Sequence, residues 1–307
     1  MFASRRGRTL AGALAAGVVL TLAACSSGGA LDSGSTSSSS SKTIIIGSAA
    51  FPENAIIADI YAQALQAKGV KVSTTLNIGQ RPAYLAALKD GSIDLIPEYS
   101  GNLLQYYDPK TTAQSSSEVL TALKSALPKG FEVLNQSAAE DKDSYSVTKA
   151  FSQQYNVKSL ADLAAVKVPL TIAADPEFAT RPYGPPGLKS AYGVASATVV
   201  PFSDGGGALT QAALENNQAN LADIYTTNPG KEDFVTLSDP KNLIIAQNVL
   251  PLINTKFASS TVTSVLNEIS AKLTTADLIH LNTLNQGPQK VEPAALAKQW
   301  LSENKIK

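Results

Sequence analysis

The sequence predicts an α/β protein of two lobes, and three observations carry that prediction. From Thr43 to Ile96, strand-like and helix-like segments alternate in the order β-α-β-α-β, which gives parallel strands joined by crossover helices. From Asp143 to Tyr225 the same logic repeats without visible sequence repetition. After an apolar run from Asn248 to Ile253, three helical segments follow with no strand between them, so the chain returns to the first lobe and finishes on it. The expected boundaries are 43–142 with 250–307 for lobe 1 and 143–249 for lobe 2, in mixed, mostly parallel sheets with two hinge crossings.

Each element has its own signal. Thr43-Ile44-Ile45-Ile46 is a β-branched run closed by Gly47, the pattern of a buried strand. Glu53 to Lys68 places Ile56, Ile57, Ile60, Tyr61, Ala64 and Leu65 at helical spacing and ends in Lys68-Gly69. Val70 to Leu76 alternates as a strand, and Pro82 to Lys89 is a short helix with Tyr84, Leu85 and Leu88 on one side. Asp90-Gly91 then turns the chain into the strand Ile93 to Ile96. In the second unit, strands are expected at 144–148, 168–173, 197–202 and 221–225. A capping box in which Asp162 stands for the usual Glu opens a helix after Ser159. Asp204-Gly205-Gly206-Gly207 leads into a helix over 208–217 and reads as a cap or hinge, since it lacks the lysine and spacing of a P-loop. The closing helices are expected at about 260–272, 275–285 and 293–303, with Trp300 docking the last onto lobe 1.

Parallel sheets carry their working loops at the carboxyl ends of the strands. In the first unit those loops are Ser48 to Asn54, which contains Phe51 and Asn54, then Asn77 to Gln80, then Pro97 to Asn102, which contains Tyr99. Two lobes joined by two crossings leave a cleft between them, where a small ligand binds.

The first residues form a separate module. Arg5, Arg6 and Arg8 precede the apolar run Leu10 to Leu22, which is too short for a comfortable membrane span and reads as a signal peptide over residues 1–24. Leu22-Ala23-Ala24-Cys25 looks like a bacterial lipobox, and Cys25 is the only cysteine. Acylation there would anchor the chain to the outer face of the cell membrane, each buried methylene contributing about 0.8 kcal/mol. Residues 25–42 are Gly/Ser/Thr-rich and read as a lipidated, flexible tether. With its one thiol spent on lipid, the body has no disulfide and is held by its core alone.

Composition narrows function. The formal net charge is zero, and the body without residues 1–24 is slightly acidic, which argues against a nucleic-acid partner. His280 is the only histidine and has no carboxylate or cysteine at ligand spacing, so neither a metal site nor a histidine-based triad is expected. Glu98 has no matching acid or nucleophile and is expected to tie a loop or the hinge. No cofactor and no catalysis are expected. A lipoprotein hydrolase is the rival from another class; it lacks both a Gly-x-Ser-x-Gly elbow and a second histidine.

Three stretches carry a family resemblance: Ile46-Gly47-Ser48 with Phe51-Pro52-Glu53-Asn54, then Leu88 to Gly101 with its Asp-Gly-Ser-Ile-Asp and Pro-Glu-Tyr segments, then Phe178 to Leu188. They resemble the osmoprotectant-type substrate-binding proteins of ABC importers (glycine betaine, carnitine, choline, proline betaine), a ProX/OpuAC-like group, in its actinobacterial branch. The likeness runs from about Thr43 to Trp300. It implies a monomeric type II periplasmic-binding-protein fold that closes on a small solute and hands it to a membrane permease with its ATPase, the membrane being reached through the lipid alone. It also implies a tyrosine cage around a trimethylammonium group and an arginine for a carboxylate. Such a cation has no N–H to donate, so aromatic faces hold it instead, and the guanidinium fork suits a carboxylate.

Residue by residue, the resemblance puts Tyr99, Tyr145 and Tyr225 in the cage, with Asp143 two positions before Tyr145. Arg181 takes the carboxylate, and Asn102 stands where many relatives have a hydroxyl residue. Two positions depart from the pattern. Ala49 replaces a frequent lysine, and near the Asp204 motif Phe202 is the only close aromatic, leaving a three-sided cage. Tyr61, Tyr84 and Tyr192 are expected to pack, and Tyr106 and Tyr107 could do either. The alternatives are the same fold binding a different small solute, polar or aromatic and neutral, or a sensory lipoprotein that binds without transport.

Overall fold

The computed structural model describes residues 42–306. The leader, Cys25 and the tether up to residue 41 lie outside them.

The first sheet is built from β1 (Ile44–Gly47), β2 (Val72–Thr75), β3 (Leu95–Tyr99), β4 (Phe131–Val133) and β10 (Val249–Asn254), in the order β2-β1-β3-β10-β4. The second holds β5 (Tyr145–Val147), β6 (Leu170–Ala174), β7 (Ala197–Pro201), β8 (Leu221–Asp223) and β9 (Val235–Thr236), in the order β7-β6-β8-β5-β9. The two orders are the same pattern. Three parallel strands lie together, and a strand arriving from the other lobe inserts antiparallel between the third and the last. Four of the five strands in each sheet thus run the same way, as expected of mixed, mostly parallel sheets; the fifth crosses the hinge and enters from the opposite end, which makes two of the four pairings antiparallel.

β10 contains Pro251 in a central position, which ordinarily argues against a strand. The register explains it: Pro251 faces Pro97 of β3, so neither residue asks its neighbour for an N–H that is missing. The Pro97 carbonyl instead accepts from Asn54 Nδ2 at 3.0 Å, and that of Pro251 accepts from Leu134 N at 3.0 Å.

Helix α1 (Pro52–Ala67) is buried almost all round because it lies between the first sheet and α8 (Ser260–Lys272), α9 (Thr275–Gln286) and α10 (Pro293–Glu303). Ile56, Ile57, Ile60 and Leu65 meet Leu266, Ile269, Leu296 and Trp300 in one core. Trp300 is buried there. His280 sits on α9, exposed.

On the other side of this sheet, α2 (Arg81–Asp90), α3 (Ser100–Tyr107) and α4 (Ser116–Ala126) cover Ile93, Ile96, Leu250 and Leu252. Sequence periodicity did not single out α3 or α4, although α4 opens on a capping box. Glu118 accepts the Ser115 N–H at 3.0 Å, and Ser115 Oγ accepts that of Glu118. In the second lobe, α5 (Lys149–Tyr155) and α6 (Pro185–Tyr192) flank one core. α7 (Ala208–Glu215) covers the other and is capped by Asp204, whose Oδ2 accepts the Leu209 N–H at 2.7 Å. Gly206, at φ +71°, leads into it; a side chain there would lie 2.6 Å from the Asp223 carbonyl.

Candidate functional site

The carboxyl ends of β1, β3, β6 and β8 face one another across the gap between the sheets. A cavity of about 380 Å³, counting its mouth, opens there. Its apolar walls are Ala49, Phe51, Tyr84, Tyr99 and Tyr225, and its polar walls are Gln80, Arg81, Asn102, Asp141, Asp143 and Arg181.

Phe51 sits in the loop after β1 and joins the two lobes' aromatic groups. Its ring centre is 5.9 Å from that of Tyr99 and 5.7 Å from that of Tyr225, the latter edge-on. Both tyrosines are fixed through their hydroxyls. Tyr99 donates to Glu53 Oε1 at 2.6 Å, and Tyr225 to Asp175 Oδ2 at 3.3 Å. These bonds turn the polar ends of the rings toward carboxylates and leave ring surface for the cavity.

The two arginines are held differently. Arg81 forms a two-pronged pair with Glu98, Nε to Oε1 at 2.9 Å and Nη2 to Oε2 at 3.0 Å, and Tyr84 donates its hydroxyl to the same carboxylate at 2.7 Å. Glu98 also accepts the Tyr99 N–H at 2.9 Å, so it ties the start of α2 to the end of β3, where Tyr99 sits. Arg181 reaches Asp143 Oδ1 at 3.3 Å, Glu177 Oε2 at 3.1 Å and Gln80 Oε1 at 3.3 Å. Asn102 Nδ2 donates to the other Asp143 oxygen at 2.8 Å.

Beneath the rings lies a buried polar network spanning both lobes. Glu53 Oε2, from the first turn of α1, accepts from Thr227 Oγ1 at 2.6 Å and from Asn282 Nδ2 at 2.7 Å. Asp141 Oδ1 accepts the Thr227 N–H at 3.0 Å and the Thr226 hydroxyl at 3.2 Å. Burial pushes both carboxyls up from their usual range, and for Asp141 the neighbouring Glu53 adds to the effect. Asp175 is raised to about 6, and Asp223 is raised as well, both chiefly by burial.

The cavity thus brings together Phe51, Tyr99, Asn102, Asp143, Arg181 and Tyr225 from the residues singled out in the sequence. Three others lie elsewhere. Tyr145 is 1% exposed in the core of the second lobe, with its ring against Phe178 (5.4 Å between centres) and its hydroxyl on the Tyr183 carbonyl at 2.8 Å. Phe202 packs on the core under α7. Asn54 is a loop tie: it accepts the Ala49 N–H at 2.8 Å and donates to Pro97. Gln80, Arg81, Tyr84 and Asp141 were not anticipated as walls. Gln80 and Ala49 do belong to the strand-end loops already marked, and Arg81 follows Gln80 directly, so position in the fold was the available signal.

The aromatic walls, the arginines and the two-lobe topology can be set against known proteins. Residues 42–303 match OpuAC, the substrate binding domain of ABC-type glycine betaine transport system. The chain belongs to that family. A glycine-betaine-binding protein of Pseudomonas aeruginosa is 28% identical over 284 residues, which cover 86% of this chain and 90% of the relative. The glycine betaine-binding protein YehZ of Escherichia coli is 26% identical over 64% of this chain and 69% of its own length. Among solved structures, a glycine betaine/carnitine/choline ABC transporter protein superposes with a TM-score of 0.66 at 20% identity, covering 86% of this chain and 99% of that one. A choline-binding ABC-transporter protein in complex with choline gives 0.62 at 16%, covering 87% and 90%.

The fold of this OpuAC-family chain is the type II periplasmic-binding-protein arrangement, as the sequence implied. Members of the family are extracytoplasmic solute-binding components of ABC importers and not enzymes.

Proposed function

We propose that this protein is a lipoprotein, anchored through Cys25, that captures a quaternary ammonium compatible solute (glycine betaine, choline or carnitine) between its lobes and delivers it to an ABC permease. One observation carries the reading: Phe51 and Tyr99 from one lobe and Tyr225 from the other present ring surface to a single cavity, within 6 Å of each other pairwise through Phe51. A methylated ammonium offers no N–H, and its attraction to a desolvated aromatic face is about 0.5–2 kcal/mol per ring. Asp141 and Asp143 add carboxyl oxygens to the same walls.

Calorimetry with the three solutes tests the binding reading. Saturable heat from at least one is expected, and no heat from any of them with folded protein overturns it. For the anchor, Cys25→Ala is expected to move the protein from the detergent phase to the aqueous phase on partition; unchanged partition removes the lipid from the proposal.

A further inference from the structure

The cavity has four charged walls, and three of them are already spoken for. Arg81 is neutralised by Glu98 through two hydrogen bonds. Arg181 is shared between Asp143 and Glu177, each within 3.3 Å. Asp141 is the exception. It takes part in no ion pair among the described residues; its Oδ1 accepts only the neutral donors of Thr226 and Thr227, and its Oδ2 accepts no hydrogen bond from the described residues. Further acids stand behind the walls: Glu53 beneath Tyr99, and Asp175 behind Tyr225.

A zwitterion entering this cavity must place its carboxylate against a guanidinium that already has two carboxylate partners, with an unpaired acid nearby. A monocation meets no such conflict: burial and Glu53 push the Asp141 carboxyl toward its neutral form in the empty cleft, and a cation beside the free Oδ2 favours the ionised form and balances it, which a net-neutral betaine does less. A carboxylate in a site of low dielectric acts strongly on a charge a few ångströms away. From this we infer that Asp141 sets the charge selectivity of the cleft, which favours a quaternary ammonium alcohol of the choline class over a zwitterionic betaine. The inference rests on the proposed reading of the cleft as a quaternary ammonium site.

The test is calorimetric titration of choline and of glycine betaine into the wild-type protein, Asp141→Asn and Asp141→Glu. Wild type is expected to bind choline at least about tenfold more tightly, equivalent to about 1.4 kcal/mol. Asp141→Asn keeps an oxygen for Thr226 and Thr227 and loses the charge; it is expected to erase that advantage, and Asp141→Glu to retain part of it. An unchanged choline-to-betaine ratio in Asp141→Asn overturns the inference and leaves the solute class standing. Wild type that binds glycine betaine as tightly as choline also overturns it, without reliance on any variant. Failure of both compounds to bind folded wild type removes the solute class and this inference together.

Discussion

Asp175 links the chemistry of the cleft to the stability of the protein. It follows β6, is 2% exposed, and accepts hydrogen bonds from Gln80 Nε2 at 2.9 Å across the gap and from the Tyr225 hydroxyl at 3.3 Å. Burial lifts its pKa from 3.8 to about 6, against the opposing pull of Arg181 and the Tyr225 hydrogen bond. In the unfolded chain the group titrates near its ordinary value. Between those two values the folded protein binds a proton that the unfolded chain has released. The Asp175 contribution is therefore complete below about pH 4 and is lost as pH rises through about 6. The gap is about two pH units, and at about 1.4 kcal/mol per unit it amounts to about 3 kcal/mol.

Asp175→Asn retains an acceptor oxygen and cannot ionise. Urea unfolding of both proteins without ligand at pH 4 and pH 7 is expected to show wild type losing about 3 kcal/mol more than the variant over that interval. Glu53 and Asp141 are raised by burial too and slope the same way in both proteins. Asp223 is raised mainly by burial and in small part by Asp175, so the difference between the two profiles, and not the slope of either, reports Asp175 together with its effect on Asp223. Parallel profiles refute the reasoning.

Three further outcomes are expected. Phe51→Ala and Tyr99→Ala each remove one cage ring and lower solute affinity at least about tenfold by calorimetry, the upper part of the range for a desolvated cation–ring contact; unchanged affinity in both dissolves the cage. Tyr145→Ala opens a hole in the second lobe's core and costs about 3–5 kcal/mol in urea unfolding, whereas Tyr145→Phe costs about 1 kcal/mol for the lost bond to the Tyr183 carbonyl and leaves affinity within about twofold of wild type. Glu98→Gln strips the buried Arg81 of its counter-charge and lowers stability by about 3–5 kcal/mol; a loss below about 1 kcal/mol would mean that water reaches the guanidinium.

Periodicity made the strands and most helices legible, and the rule that loops follow the carboxyl ends of parallel strands located Phe51, Tyr99 and Gln80. It failed where backbone direction decides. Tyr145 stands two residues after Asp143, and in a continuous strand the two would share a face. β5 begins only at Tyr145, so the alternation does not extend back to Asp143. Every residue of β5 is buried, which leaves no polar face in the sequence to reveal the direction of the ring. Tyr84 reads as a packing residue of a short helix, and Arg81 lies just before the expected start of that helix at Pro82; only the partner Glu98, 17 positions away from Arg81 in the chain, turns them into a cavity wall. Asp141 carries no local motif, and its significance comes from being the acidic wall that no cation faces among the described residues.

The way the lobes are held together follows from the same inventory. Four apolar cores exist among the described residues, and none takes residues from both sheets. Across the gap the contacts include Phe51 on Tyr225 and a set of hydrogen bonds: Glu53 and Asn282 with Thr227, Gln80 with Asp175 and Arg181, Asn102 with Asp143, Gln114 with Asn242. Each such bond replaces one to water and nets only about 0.5–1.5 kcal/mol, rather more where a charge takes part. Rigid lobes joined by contacts of that kind have a closed state that lies close in free energy to an open one. Most of these contacts end on cavity walls or on their direct partners, so a solute filling the space between Phe51, Tyr99 and Tyr225 bears on the same residues that decide closure. On the proposed reading binding and closing are one equilibrium, and a cation placed beside Asp141 and Asp143 shifts both.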